Sequence, residues 1–108
     1  MELKELSFSD KENSVKFVLM NSGEEVGYGY IFSREINPIE IYINEENQSS
    51  GYGKFLFNSL LNILREHGLK GVVFQLNESD YRFINIIRKA GAVEIGRQFS
   101  EMKFIIKL

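Results

Sequence analysis

Six consecutive residues, Gln48-Ser49-Ser50-Gly51-Tyr52-Gly53, are the part of this chain most able to do chemistry. They join an apolar run, Ile39 to Asn44, which reads as a strand, directly to an amphipathic stretch starting near Gly53, which reads as a helix. A helix start leaves backbone N–H groups without intrahelical partners and carries the positive end of the peptide dipole, so it holds a phosphate without a charged side chain. Gly51 and Gly53 let that backbone come close to a ligand and accept positive φ. The pattern Gln-x-x-Gly-x-Gly is neither the dinucleotide fingerprint nor a P-loop, because the third glycine and the Gly-Lys-Ser/Thr ending are missing.

The elements around this turn have to position it. Leu3 to Phe8 and Val15 to Met20 read as strands separated by a polar turn, and Asn21-Ser22-Gly23-Glu24 is a hairpin signal. In the next strand, Glu25 to Ser33, Val26, Tyr28, Tyr30 and Phe32 alternate with Gly27, Gly29 and Ile31, so one face is aromatic and the other nearly bare. A bare face admits something close against it. Asn37-Pro38 breaks that strand before Ile39 begins the next. The helix from Gly53 to His67 has an apolar stripe of Leu56, Leu60, Ile63 and Leu64 and stops at Gly68. Val72 to Leu76, apolar on both faces, reads as a buried strand in a parallel pair, which makes Ile39 to Leu76 a β-α-β unit. A second helix, Tyr81 to Ala90, is capped by Ser79 or Asp80 and ended by Gly91; Ala92 to Ser100 and Met102 to Leu108 read as closing strands. This order predicts an α+β fold: a mixed, mostly antiparallel sheet with a central β-α-β unit and two helices, in one domain over residues 1–108.

The segment Ile39 to Leu56, with its apolar strand, acidic turn at Glu45-Glu46, Gln-x-x-Gly-x-Gly and following apolar helix, resembles the acyl-coenzyme A binding motif of the GNAT superfamily of N-acetyltransferases. The order of elements is similar to the GNAT fold over nearly the whole chain, with one departure. The pair of helices that usually follows the first strand is absent, since Ser9 to Ser14 is too short for even one. In the family that region walls the acceptor site, so the resemblance implies an acceptor side left open or completed by a second copy in a homodimer.

The resemblance implies acetyl-coenzyme A as acyl donor and an amine, small or peptidic, as acceptor, with no metal. Ile41, Tyr42 and Ile43 would pair with the pantetheine arm as if it were a strand; Gln48, Ser49, Ser50, Gly51, Tyr52, Gly53 and Lys54 would hold the pyrophosphate; Asn77 lies where the family has an asparagine that touches the pantetheine. The family tyrosine four residues before the glycine that ends the second helix is Ile87 here, which cannot donate a proton. Tyr81 and Tyr42 are the substitutes within reach of the sequence, and Glu40, the carboxylate inside the motif strand, is the candidate base. The more usual acidic position earlier on that strand holds Asn37, and Phe83 stands where a small alanine is common. Two further readings belong to other classes: a coenzyme A binding module without catalysis, favoured by Ile87, and an interaction domain with no ligand.

Other residues have plainer readings. His67 sits where a cation meets the negative end of a helix, Glu45-Glu46 fit a solvated turn, and Tyr28 and Tyr30 fit cross-strand packing as well as an acceptor pocket. A net charge of −2 offers no broad footprint for nucleic acid or an anionic membrane, and the absence of cysteine excludes disulfides and a thiol nucleophile. No apolar run reaches the ~20 residues of a membrane span and the first residues do not read as a signal peptide, so the expected location is the cytoplasm.

Overall fold

The computed structural model describes every residue from Met1 to Leu108. Strands β1 (Glu2–Glu5), β2 (Ser14–Asn21), β3 (Glu24–Phe32) and β4 (Ile39–Ile43) form one antiparallel sheet in that order. Helix α1 (Tyr52–Glu66) follows, then β5 (Gly71–Asn77), helix α2 (Tyr81–Lys89), β6 (Val93–Gln98) and β7 (Glu101–Lys107), with β5, β7 and β6 forming a second antiparallel sheet. The expected α+β architecture with two helices is present, and no helix is long and apolar enough to cross a membrane.

Turn chemistry sets the boundaries. Ser22 and Gly23 both take positive φ at the β2–β3 hairpin, as a tight two-residue connection requires. Both helices end in the same motif. Gly68 (φ 86°) donates to the Arg65 carbonyl and Leu69 to that of Leu64, while Gly91 (φ 101°) donates to Arg88 and Ala92 to Ile87.

The bare face of β3 is where α1 lies. A Cβ at Gly29 would stand 2.8 Å from Leu60 Cδ1 and 3.0 Å from the Glu40 carbonyl, so only glycine lets the helix sit this close. Leu56 and Leu60 meet the first sheet, and the Phe57 ring packs on Phe74 of β5 with centroids 5.8 Å apart, so α1 bridges both sheets. All of these side chains are fully buried.

Three sequence expectations need correction. The first strand ends at Glu5, and Leu6 and Phe8 are exposed beyond it. Strand β5 is not one member of a continuous parallel pair: it pairs antiparallel with β7 and buries one side, Val72 and Phe74, while Gln75 is exposed. Its only ladder contact with the first sheet is a parallel bridge between Ile36 and Val73. Beyond that bridge β4 and β5 part, and the run of apolar residues that suggested two-sided burial reflects one-sided packing beside an open slot. Finally, Asp80 is the N-cap residue of α2 but its carboxylate makes no cap hydrogen bond.

Candidate functional site

The slot between β4 and β5 starts at Asn37. Its N–H donates to the Val73 carbonyl, its side-chain amide donates to the Gln75 carbonyl at 3.0 Å, and its Oδ1 accepts the Gln75 N–H at 2.9 Å. One asparagine side chain thus replaces a rung of sheet ladder, and past it the strands diverge. The slot encloses about 280 Å³ between Ile39, Ile41 and Tyr42 on one side and Leu76, Asp80 and Phe83 on the other.

Strand register decides what β4 offers to this slot. Phe32 donates to the Pro38 carbonyl and Asn44 to that of Val26, so even-numbered residues face β3. In an antiparallel ladder the alternate residues then turn their polar groups outward, so the main-chain groups of Ile39, Ile41 and Ile43 face the slot. Of the three residues expected to pair with a pantetheine arm, Ile41 and Ile43 can do so through the main chain. Tyr42 cannot: its main-chain groups face β3, and it reaches the slot through its side chain.

Ile41 and Phe83 also line a second cleft, of about 540 Å³, at the start of α1. Gly51 occupies the N-cap with φ 82° and ψ 0°, Ser49 is also left-handed, and the first intrahelical bond runs from Phe55 to the Gly51 carbonyl. The N–H groups of Tyr52, Gly53 and Lys54 are therefore free at the positive end of the helix. Around them stand Gln48, Lys54, Arg82 and Lys89. Gln48 accepts a hydrogen bond from Arg82 at 3.0 Å and donates to the Ile43 carbonyl at 3.3 Å, so it ties the turn to both α2 and β4. Gly53 lies where the helices cross closely: a Cβ there would lie 3.1 Å from Ile86 Cδ1. Tyr52 has a different part: its hydroxyl accepts from the Asn21 amide at 2.8 Å, anchoring the helix start to the hairpin.

Arg82, Asn85 and Lys89 are the residues that the reading from sequence missed. Their helical spacing, with Ile86, puts them on one face of α2, opposite the buried Ile84 and Ile87; the spacing gives the shared face but not what that face meets.

The candidates for proton transfer are less well placed. Glu40 lines the slot, but its carboxylate accepts from Arg34 at 2.8 Å, the Tyr42 hydroxyl at 2.8 Å and Lys11 at 3.1 Å. Burial raises its pKa, and the bonds from Arg34, Tyr42 and Lys11 together outweigh that and hold it below the ordinary glutamate range. Tyr81 stands exposed at the first turn of α2, where the slot is lined by Asp80 and Phe83 instead. Ile87 is fully buried in the core. The Asn77 amide is spent locally, accepting from the Ser79 N–H and donating to Ser100 Oγ. His67, as the plain reading had it, turns its Nδ1 to the Ile63 carbonyl at the end of α1.

On the face of β3 and β4 opposite α1, the rings of Tyr28, Tyr30 and Tyr42 pack together, with Tyr28 and Tyr42 stacked at 5.1 Å. The β1–β2 connection, too short for a helix, folds over them. Tyr30 donates to Asp10 at 2.7 Å, and the ammonium groups of Lys11 and Lys16 stand 4.7 Å and 5.5 Å from the Tyr30 centroid. The loop thus covers part of the face that the resemblance implied to be open.

With these features in place, the fold is that of the GNAT acetyltransferases. An IAA acetyltransferase from Bacillus cereus superposes with a TM-score of 0.73 over 90% of this chain and 79% of that one, at 12% identity. An acetyltransferase of the GNAT family from Streptococcus pneumoniae gives 0.71 over 92% and 70%, at 15% identity. The ribosomal-protein-alanine N-acetyltransferase from Brucella melitensis gives 0.69 over 88% and 69%, at 18% identity. No family model matches the sequence, and no curated protein matches it significantly.

Proposed function

We propose that this chain binds acetyl-coenzyme A and transfers its acetyl group to a primary amine. The observation that carries the reading is the continuity of the two clefts through Ile41 and Phe83: a cationic helix start at one end, a splayed strand edge at the other. The pyrophosphate would rest on the N–H groups of Tyr52, Gly53 and Lys54, with Lys54, Arg82 and Lys89 around it. The pantetheine amides would add to the open edge of β4 through Ile41 and Ile43. The thioester would then lie near Glu40 and Tyr42, where a free β4 N–H can meet the oxyanion. The amine would arrive from the tyrosine face. The acetyl-transferring solved structures of the same fold support the class of reaction, and the acceptor is set by features in which this chain is its own case.

A coenzyme A binding module without turnover is the second reading, favoured by the burial of Ile87 and the outward position of Tyr81. Calorimetric titration with acetyl-coenzyme A, beside Gly51→Glu, tests what both readings share. The variant sets a negative charge in the cradle and costs about 1–2 kcal/mol for its left-handed backbone, so its fold is checked by circular dichroism. Micromolar binding by the wild type, weakened at least tenfold in the variant, is expected; a folded wild type that ignores the ligand overturns both. Release of free coenzyme A thiol with an amine panel then separates enzyme from module.

A further inference from the structure

We propose that Lys11 is an acceptor for its own chain, taking the acetyl group in cis at the mouth of the slot. This rests on the acetyl-coenzyme A reading above and goes beyond it by naming the amine. Lys11 Nζ donates to Glu40 Oε1 and to the Tyr42 hydroxyl, each at 3.1 Å, and both of those residues line the slot. Lys54 and Lys89 line the other cleft, at the proposed phosphate end, and Arg34, the cation that lines the slot itself, is a guanidinium that does not act as a nucleophile.

The position of Lys11 is built, not incidental. Ser14 Oγ donates to the Lys11 carbonyl at 2.6 Å and shares a second bond of 2.6 Å with Ser9 Oγ, while the Lys11 N–H donates to Ser9 Oγ at 3.3 Å. The neighbouring Asn13 carbonyl accepts from Ser33 of the main body. The rings of Tyr30 and Tyr42 hold the ammonium at 4.7 Å and 5.0 Å. A tethered amine held this way reacts as a unimolecular partner of a bound thioester.

The step balances with the groups present. The Lys11 ammonium, hydrogen-bonded to Glu40 and open to solvent, loses one proton to water. The neutral amine attacks the thioester carbonyl, the N–C bond forms, the C–S bond breaks, and the second amine proton goes to the departing thiolate. The products are Nε-acetyl-lysine at position 11, coenzyme A thiol and one proton. Because the Tyr42 and Glu40 bonds favour the charged form of Lys11, the free amine is scarce at neutral pH, and the rate should climb about tenfold per pH unit below the amine pKa. Lys16 supplies an internal control. It lies on the same aromatic face, 4.5 Å from the Tyr28 centroid, yet its ion partner is Asp10, which lies outside the slot.

The experiment incubates the full folded chain with acetyl-coenzyme A and no added amine, then reads intact mass and maps the modified peptide. One acetyl group per chain on Lys11 is expected, at a first-order rate unchanged by tenfold dilution of the protein. None should appear in Lys11→Arg, and little in Gly51→Glu. Three results overturn the proposal while leaving the parent reading intact: calorimetric binding with Lys11 unmodified, acetyl spread over exposed lysines such as Lys4 and Lys107 as in the denatured chain, or a rate proportional to protein concentration. Absence of calorimetric binding brings down the parent reading and this one with it.

Discussion

Glu40 lines the slot at the end where the proposed thioester would lie. Its two cationic partners and the Tyr42 hydroxyl make it a poor base at rest, since a carboxyl held below the ordinary range has little affinity for a proton. The same bonds tie the β1–β2 loop to β4. A group whose folded pKa is lowered stabilises the fold above its unfolded value, about 4.3, and that contribution fades as pH falls through the folded value. The side chain is about one-third exposed, so the contribution belongs to the scale of partly solvated ion pairs. Glu40→Gln is therefore expected to lower stability by about 1 kcal/mol at neutral pH and to converge on the wild type in acid, as read by urea denaturation at both pH values. An equal loss in acid would mean that Glu40 acts through packing and not through its charge.

At the level of elements, α2 divides its labour between two faces. Ile84 and Ile87 close the core, and Arg82, Asn85, Ile86 and Lys89 complete the cleft over the start of α1. Arg82→Glu should weaken acetyl-coenzyme A binding about tenfold or more, the scale of one charge-assisted bond, and move stability by less than about 0.5 kcal/mol because the guanidinium is at the surface. Calorimetry and thermal melting report the two effects separately. The glycine turn was legible in the sequence because its meaning is local: glycine at a strand-to-helix junction says the same thing in any context. Arg82 and Lys89 were not, because a basic helix face reads alike whether it meets solvent or a neighbouring helix. What decides between them is the close crossing of α1 and α2 at Gly53 and Ile86, thirty-odd residues apart in sequence. Asn77 and Tyr81 show the opposite failure. Proximity in the chain to the slot was legible, but the direction of the side chain was not, and local partners turned one away while the other points to solvent. The β1–β2 loop reads in the sequence only as a polar turn, since nothing in its composition marks a contact between Lys11 and a carboxylate in β4.

Seen as a whole, the molecule is two antiparallel sheets that touch along one edge at one end only, with α1 packed across both. The angle between them is the slot, so whatever holds the closed end sets the shape of the open end. Asn37 holds it, with three hydrogen bonds to the backbone of β5 and a left-handed backbone (φ 54°) that asparagine tolerates better than most residues. Asn37→Ala removes the two side-chain bonds to Gln75 and puts at positive φ a residue that bears it less well than asparagine, together about 2–4 kcal/mol. Asn37→Gly removes the same two bonds without that strain, so the difference between the variants isolates the backbone term. Both should speed amide exchange at Gln75 and weaken acetyl-coenzyme A binding, because a wider angle pulls Leu76 and Phe83 away from the β4 edge. If instead exchange quickens and affinity is unchanged, then α1 alone, through Phe57 against Phe74, sets the angle of the slot, and Phe57→Leu becomes the change that opens it.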